Sequence, residues 1–471
     1  MAPLFQLTAA GPQPEPASPY VTSTKGKQLN EIFITGVRVI DLRFPTSSHH
    51  IGSDAVNKDP DYSAAYCILE TNSALRGHGL TFTLGRGNDI VAQAVRYLSR
   101  YVVNRTLGSI TADLRAFARQ LTDDTQFRWL GPEKGVIHLA TGAILNAVWD
   151  LYARAEGKPL WQLLSEMEPC EIARAIDFRY IDDAITEQEA IELLTSRRES
   201  QSARLAQLRQ QGYPAYTTSA GWFGYSEEKI RRLAKEALAE GWTYFKLKVG
   251  GEPADDLRRG YIVREEIGWT NKLMVDANQK WGVLEAIDRT RRLAELQPWW
   301  MEEPTSPDDI LGHARIRREV PQVRIATGEH VHNRIMFKQL LQAQAIDVLQ
   351  LDSCRVGGVN ENLAILLMAA KFNVPVCPHA GGVGLCEYVQ HLSAFDFLSV
   401  SATLENRVIE FVDHLHEHFV TPVRIRKGHY LLPTEPGYSI EIKEESLARF
   451  AYPNGEVWQP SSAVARSNGN A

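Results

Sequence analysis

Cysteine is scarce in this chain. There are five in 471 residues (Cys67, Cys170, Cys354, Cys377 and Cys386), scattered, odd in number and never in a C-x-x-C pair. That excludes a disulfide framework and a zinc ribbon, and makes a reducing compartment, the cytoplasm, the simplest expectation. Basic blocks are missing as well. With a net charge of −6 and a pI of about 6.1, nucleic acid is not an expected partner. No apolar run in the sequence suggests a bilayer span, so no membrane partner is expected. The start has neither a charged leader with a long apolar core nor any arginine before Arg38, which argues against a secretory signal and a transit peptide.

What is present is a globular composition, 44% hydrophobic, long enough for two domains. Residues 1–28, broken by Pro12, Pro14, Pro16 and Pro19, read as a disordered extension. Residues 29–170 begin with three strand-like runs and continue with helical patterns, the order of an α+β domain. A long polar segment between the first two strands, residues 47–57, is either a surface loop or a lid over a neighbouring site. Residues 171–420 read as a modified β/α barrel, its first strand placed near residues 173–180. Ser226 caps a helix that runs into the next strand. Residues 421–458 read as a return to the first domain, and 459–471 as a tail.

The barrel reading rests on one recurring interval. Lys248, Asp276, Glu302, Glu329, Asp352 and His379 each close an apolar run and follow one another at 23 to 28 residues, the length of a strand, a helix and two loops. In a parallel barrel all strand C-termini meet at one mouth. Three carboxylates there, Asp276, Glu302 and Glu329, form an oxygen-only set suited to Mg²⁺. Such an ion can hold a substrate carboxylate while a neighbouring proton is removed. Lys248 is the expected base, its pKa lowered by Lys246 beside it and the ion nearby, and Lys246 is expected to stay charged and bind the substrate carboxylate. His379, with Asp352 placed to fix its tautomer, is the expected acid on the other side. Base and acid facing each other serve β-elimination of water and racemisation alike. A non-catalytic binding role is disfavoured, because no member of the set is missing.

Other motifs carry less. The run 413–418, rich in histidine, lacks H-E-x-x-H spacing and reads as structural. Gly381-Gly382-x-Gly384 lacks a dinucleotide-binding context and reads as a turn. Cys377 and Cys386 read as packing residues.

These residues resemble the enolase superfamily and, within it, the mandelate racemase subgroup. Lys246-x-Lys248, Asp276-x-Asn278, Glu302-Glu303-Pro304, Gly328-Glu329, Asp352 and His379 carry the likeness. Arg43-Phe44-Pro45-Thr46-Ser47, Cys377-Pro378-His379-Ala380-Gly381-Gly382 and the run 410–419 are similar to the L-fuconate dehydratases. The resemblance implies a modified TIM-type barrel under an N-terminal α+β capping domain. It also implies Mg²⁺-dependent removal of water across C2 and C3 of a six-carbon sugar acid, L-fuconate first and L-galactonate as the alternative. Gly52, Ser53, Asp54 and Tyr62 of the capping domain, Asn278, Glu329 and Glu410 would then contact that small-molecule substrate. Association into a homo-oligomer is compatible with such a barrel.

Overall fold

Alternation in the first domain folds as a three-stranded antiparallel meander. The computed structural model describes residues 24–49 and 51–459. In it, β1 (Ile34–Arg43), β2 (Ser63–Thr71) and β3 (Gly77–Thr83) pair in sequence order, and a register shift beside Gly36 marks a bulge. A helix, Thr24–Glu31, precedes the sheet and takes in the end of the stretch read as disordered. The rest of that stretch, and all but Gln459 of the tail, lie outside the described residues.

The sheet is covered by the helix Gly135–Ala155. By length and composition alone this helix could cross a bilayer, which the sequence reading overlooked. It is buried on nearly every side, and Asp150 within it accepts hydrogen bonds from the backbone of His78 and Tyr438, so it serves as the core helix of this domain. Gly77 and Gly79 let β3 approach it. A Cβ at either would lie within 2.4 Å of a helix carbonyl.

The barrel consists of parallel strands β4 (Tyr213–Thr217), β5 (Tyr244–Lys248), β6 (Lys272–Asp276), β7 (Trp300–Glu302), β8 (Arg324–Thr327), β9 (Val348–Leu349) and β10 (Ile409–Phe411). Each of β4 to β8 pairs with the next. Residues 376–379 supply one more stave, linked to Leu349 on one side and, through Pro378, to the Glu410 amide on the other. β10 then pairs with β4 and closes the ring.

Two expectations are corrected here. Residues 173–180 are not the first barrel strand: Pro169–Ala175 is a short helix followed by turns, and the ring opens at β4. Residues 425–430 do not go back to the first domain. They form a hairpin, β11 (Ile425–Arg426) with β12 (His429–Tyr430), that pairs with β4. Beyond it, Leu42 bridges Ala451 and the Tyr66 hydroxyl donates to the Ile440 carbonyl, which ties these late residues to the capping sheet.

The joint between cap and barrel buries a charge cluster. Arg334 lies 2.9 Å from Glu133 and 3.2 Å from Glu361, and His138 of the long helix lies 2.6 Å from Glu361. Burial would raise the Glu361 carboxyl, but His138 and Arg334 outweigh it and bring it down to about 2.

Candidate active site

Where the barrel strands end, a cavity of about 320 Å³ opens between the ring and the capping domain. Lys248 ends β5, Asp276 ends β6 and Glu302 ends β7; Glu329 follows β8 by two residues. A carboxylate oxygen from each of Asp276, Glu302 and Glu329 lies within 4.8 Å of the others, and all three residues are buried. Burial and then Asp276 push Glu302 well above the usual carboxylate range. Glu329 Oε2 has no hydrogen-bond partner, nor has Asn278 Oδ1, which lines the same cavity. Crowded, partly unsatisfied carboxylate oxygens with no soft ligand among them fit a hard divalent cation.

Lys248 Nζ lies 2.6 Å from Asp276. Burial and Lys246 act to lower its pKa, but Asp276 outweighs them and holds the ammonium above its ordinary value; the lowering expected from the sequence is one with an ion beside the amine. Lys246 lies deeper, as Asp276 and Glu302 do. Its Nζ is wholly buried, 2.6 Å from Glu302 and 2.8 Å from Glu410, and bridges these two carboxylates where a substrate contact was expected.

On the far side of the ring, His379 Nδ1 donates to Asp352 Oδ2 at 2.8 Å. The other Asp352 oxygen accepts from the backbone of Cys354 and Arg355, which fixes the carboxylate. His379 Nε2 faces Glu329 at 3.7 Å and Glu410 at 3.8 Å. Burial opposes its charge, but Glu329 and Asp352 prevail and raise it to about 9. Glu410 is held in turn by Lys246, the Thr218 hydroxyl and the Ala380 amide.

The segment between β1 and β2 lies over the cavity. Gly52 has φ 77°, and a Cβ there would stand 2.3 Å from the Tyr62 hydroxyl oxygen, so only glycine fits against that ring. Asp54 accepts from the amides of Val56 and Asn57 and, like Gly52 and Tyr62, lines the cavity. Ser53 does not. Its hydroxyl donates to the Phe223 carbonyl at 3.0 Å, pinning the segment to the loop after β4.

Sequence reasoning missed Trp222, Phe82, Gln279, His330 and Arg355, all on the cavity wall. Trp222 was missed with β4, the strand that delivers it. Gln279 and His330 each directly follow a residue that was identified, and that adjacency was the available signal.

Residues 35–165 match the family model "Mandelate racemase / muconate lactonizing enzyme, N-terminal domain", and residues 229–446 match "Enolase C-terminal domain-like". L-galactonate dehydratase of Hypocrea jecorina is 53% identical over 449 residues, 94% of this chain and 99% of that protein. The crystal structure of human mitochondrial enolase superfamily member 1 is 56% identical and superposes with a TM-score of 0.90, covering 91% of this chain and 98% of that one. A racemase from Streptomyces coelicolor with bound magnesium, 25% identical, superposes at 0.70 over 89% of this chain and 100% of its own. Both domain models, met in the right order on a barrel whose mouth gathers the acidic triad, make this chain a member of the enolase superfamily.

Proposed function

We propose that this chain is a Mg²⁺-dependent sugar-acid dehydratase that removes water from a six-carbon aldonate, L-fuconate first and L-galactonate as the alternative. The observation that carries the reading is the placement of Lys248 and the His379–Asp352 pair on opposite sides of one cavity, with Asp276, Glu302 and Glu329 between them. The kinship with a named L-galactonate dehydratase supports the substrate class. The motifs shared with L-fuconate dehydratases support the acid that lacks only the C6 hydroxyl.

Asp276, Glu302 and Glu329 would hold the ion, which when bound supplies the Lewis acidity that makes a proton beside a carboxylate removable. Lys248 takes that proton from C2 as the free amine. Its present hold on Asp276 is one that a cation competes with, and losing it lets burial and Lys246 lower the amine's pKa. His379 delivers a proton to the departing C3 hydroxyl. Asp352 keeps Nδ1 protonated and the ring oriented, so that Nε2 is the atom that acts. Gly52, Asp54, Tyr62 and Asn278 line the cavity and orient the polyol; the capping segment excludes water from it.

The test is a panel of sugar acids with Mg²⁺, read as 2-keto-3-deoxy product, beside Lys248→Ala and His379→Asn. Turnover of either acid that vanishes in both variants supports the reading. Inversion at C2 with no loss of water would make the protein an epimerase. Turnover that survives loss of Lys248 would remove it as the base.

A further inference from the structure

Glu303 has no role in the chemistry described so far, yet it is fully buried directly beside the ion-binding carboxylates. A buried carboxylate needs compensation. Glu303 has two partners. Gln279 Nε2 donates to both of its oxygens, at 2.9 and 3.1 Å, and His330 Nδ1 donates to Oε1 at 2.9 Å. The same Nδ1 lies 3.3 Å from Glu329 Oε1. His330 therefore touches Glu329 through Oε1 and leaves Oε2 buried, without a hydrogen bond and 3.7 Å from His379 Nε2.

The backbone shows how firmly this arrangement is set. Asn278, Gln279 and Glu303 have φ of 46°, 63° and 43°, a region that L side chains seldom occupy. The Gln279 amide also donates to the Glu303 carbonyl at 2.8 Å, so the turns after β6 and β7 are locked together. Strain of this kind persists only where its surroundings over-determine it. Here those surroundings form a chain from Gln279 through Glu303 to His330 and so to Glu329.

We propose that His330, braced by Glu303 and Gln279, is a positioning residue that fixes the Glu329 carboxylate through Oε1 beside Asp276 and Glu302, and thereby sets affinity for the divalent ion. The inference rests on the reading of those three carboxylates as the ion site. Partners that hold a ligating carboxylate typically change metal affinity by about 10- to 100-fold when removed.

The experiment titrates full-length protein with Mn²⁺, following free ion by electron paramagnetic resonance. His330→Leu is expected to bind one equivalent about 10- to 100-fold more weakly than wild type. His330→Asn, which keeps a donor near the position of Nδ1, is expected to recover most of that loss. Glu303→Gln, nearly identical in shape, is expected to weaken binding in the same direction and serves if His330→Leu does not fold. In turnover, the activation constant for Mg²⁺ should rise far more than kcat at saturating ion falls. Unchanged affinity in both His330→Leu and Glu303→Gln would overturn the proposal while leaving the ion site in place. A second bound equivalent in wild type that His330→Leu removes would make His330 a ligand and also overturn it. No Mn²⁺ bound by wild type would overturn the ion site and this proposal with it.

Discussion

Two of the buried charge clusters among the described residues are built to opposite ends. At the joint between cap and barrel, Arg334 pairs with Glu133 and Glu361, His138 hydrogen-bonds Glu361, and Glu361 is held at about 2. At the barrel mouth, carboxylate oxygens of Asp276, Glu302 and Glu329 crowd within 4.8 Å of one another, and Glu302 is forced upward. The joint pairs acid with base across the two domains and holds them together. The mouth crowds acid against acid, and that crowding is the affinity an ion can draw on. The same residue types serve stability in one place and chemistry in the other, and the balance of partners distinguishes them.

Breaking each cluster in turn separates the two roles. Lys248→Ala and His379→Asn should each lower turnover by about 10²- to 10⁴-fold. Their melting temperatures should move far less than that of a joint variant, as a thermal melt beside the rate measurement will show. Arg334→Leu should do the reverse. Glu361 left buried without its guanidinium costs about 3–5 kcal/mol of unfolding free energy by urea titration, with turnover per folded molecule kept within a few-fold. Mg²⁺ at a hundred times its dissociation constant should add about 2.7 kcal/mol of stability, a chelator should remove it, and the Arg334→Leu protein should show the same increment. Loss of that increment in Arg334→Leu would show the clusters to be coupled.

The smallest effect sharpens the comparison through pH. His416 donates to Glu387 at 2.7 Å and stacks on Phe411. Burial works against its charge, Glu387 outweighs burial, and its pKa is raised to about 9. A histidine raised on folding contributes stability that is full below its unfolded value near 6.5 and is lost as pH climbs through 9. In melts between pH 6 and 9.5, wild type should therefore lose on the order of 2 kcal/mol more than His416→Gln, which keeps the other raised histidines.

The interval between charged residues made the barrel legible, because a β/α unit has a nearly fixed length and each unit ends at the same mouth. Depth within the barrel was not legible. Lys246 and Lys248 share a strand face, but the face turns inward through layers, and a shift of two residues moves one ammonium from the cavity wall to the closed interior. The first strand was misplaced because Ile176, Phe178 and Tyr180 alternate while lying in turns and the short β4 has little pattern of its own. Ser53 carried a motif match, yet its hydroxyl is taken by a carbonyl 170 residues away, a partner no local pattern announces.

The capping sheet takes its last contacts from residues 440–452: Ala451 bridges Leu42, the Tyr452 amide donates to the Asp41 carbonyl and Arg38 pairs with Glu444. On the ribosome, then, a cap begun with the first strand waits unfinished while the whole barrel is synthesised. Domains are generally completed in the order they emerge; here the first to start is the last to close, because the capping sheet waits for residues 440–452.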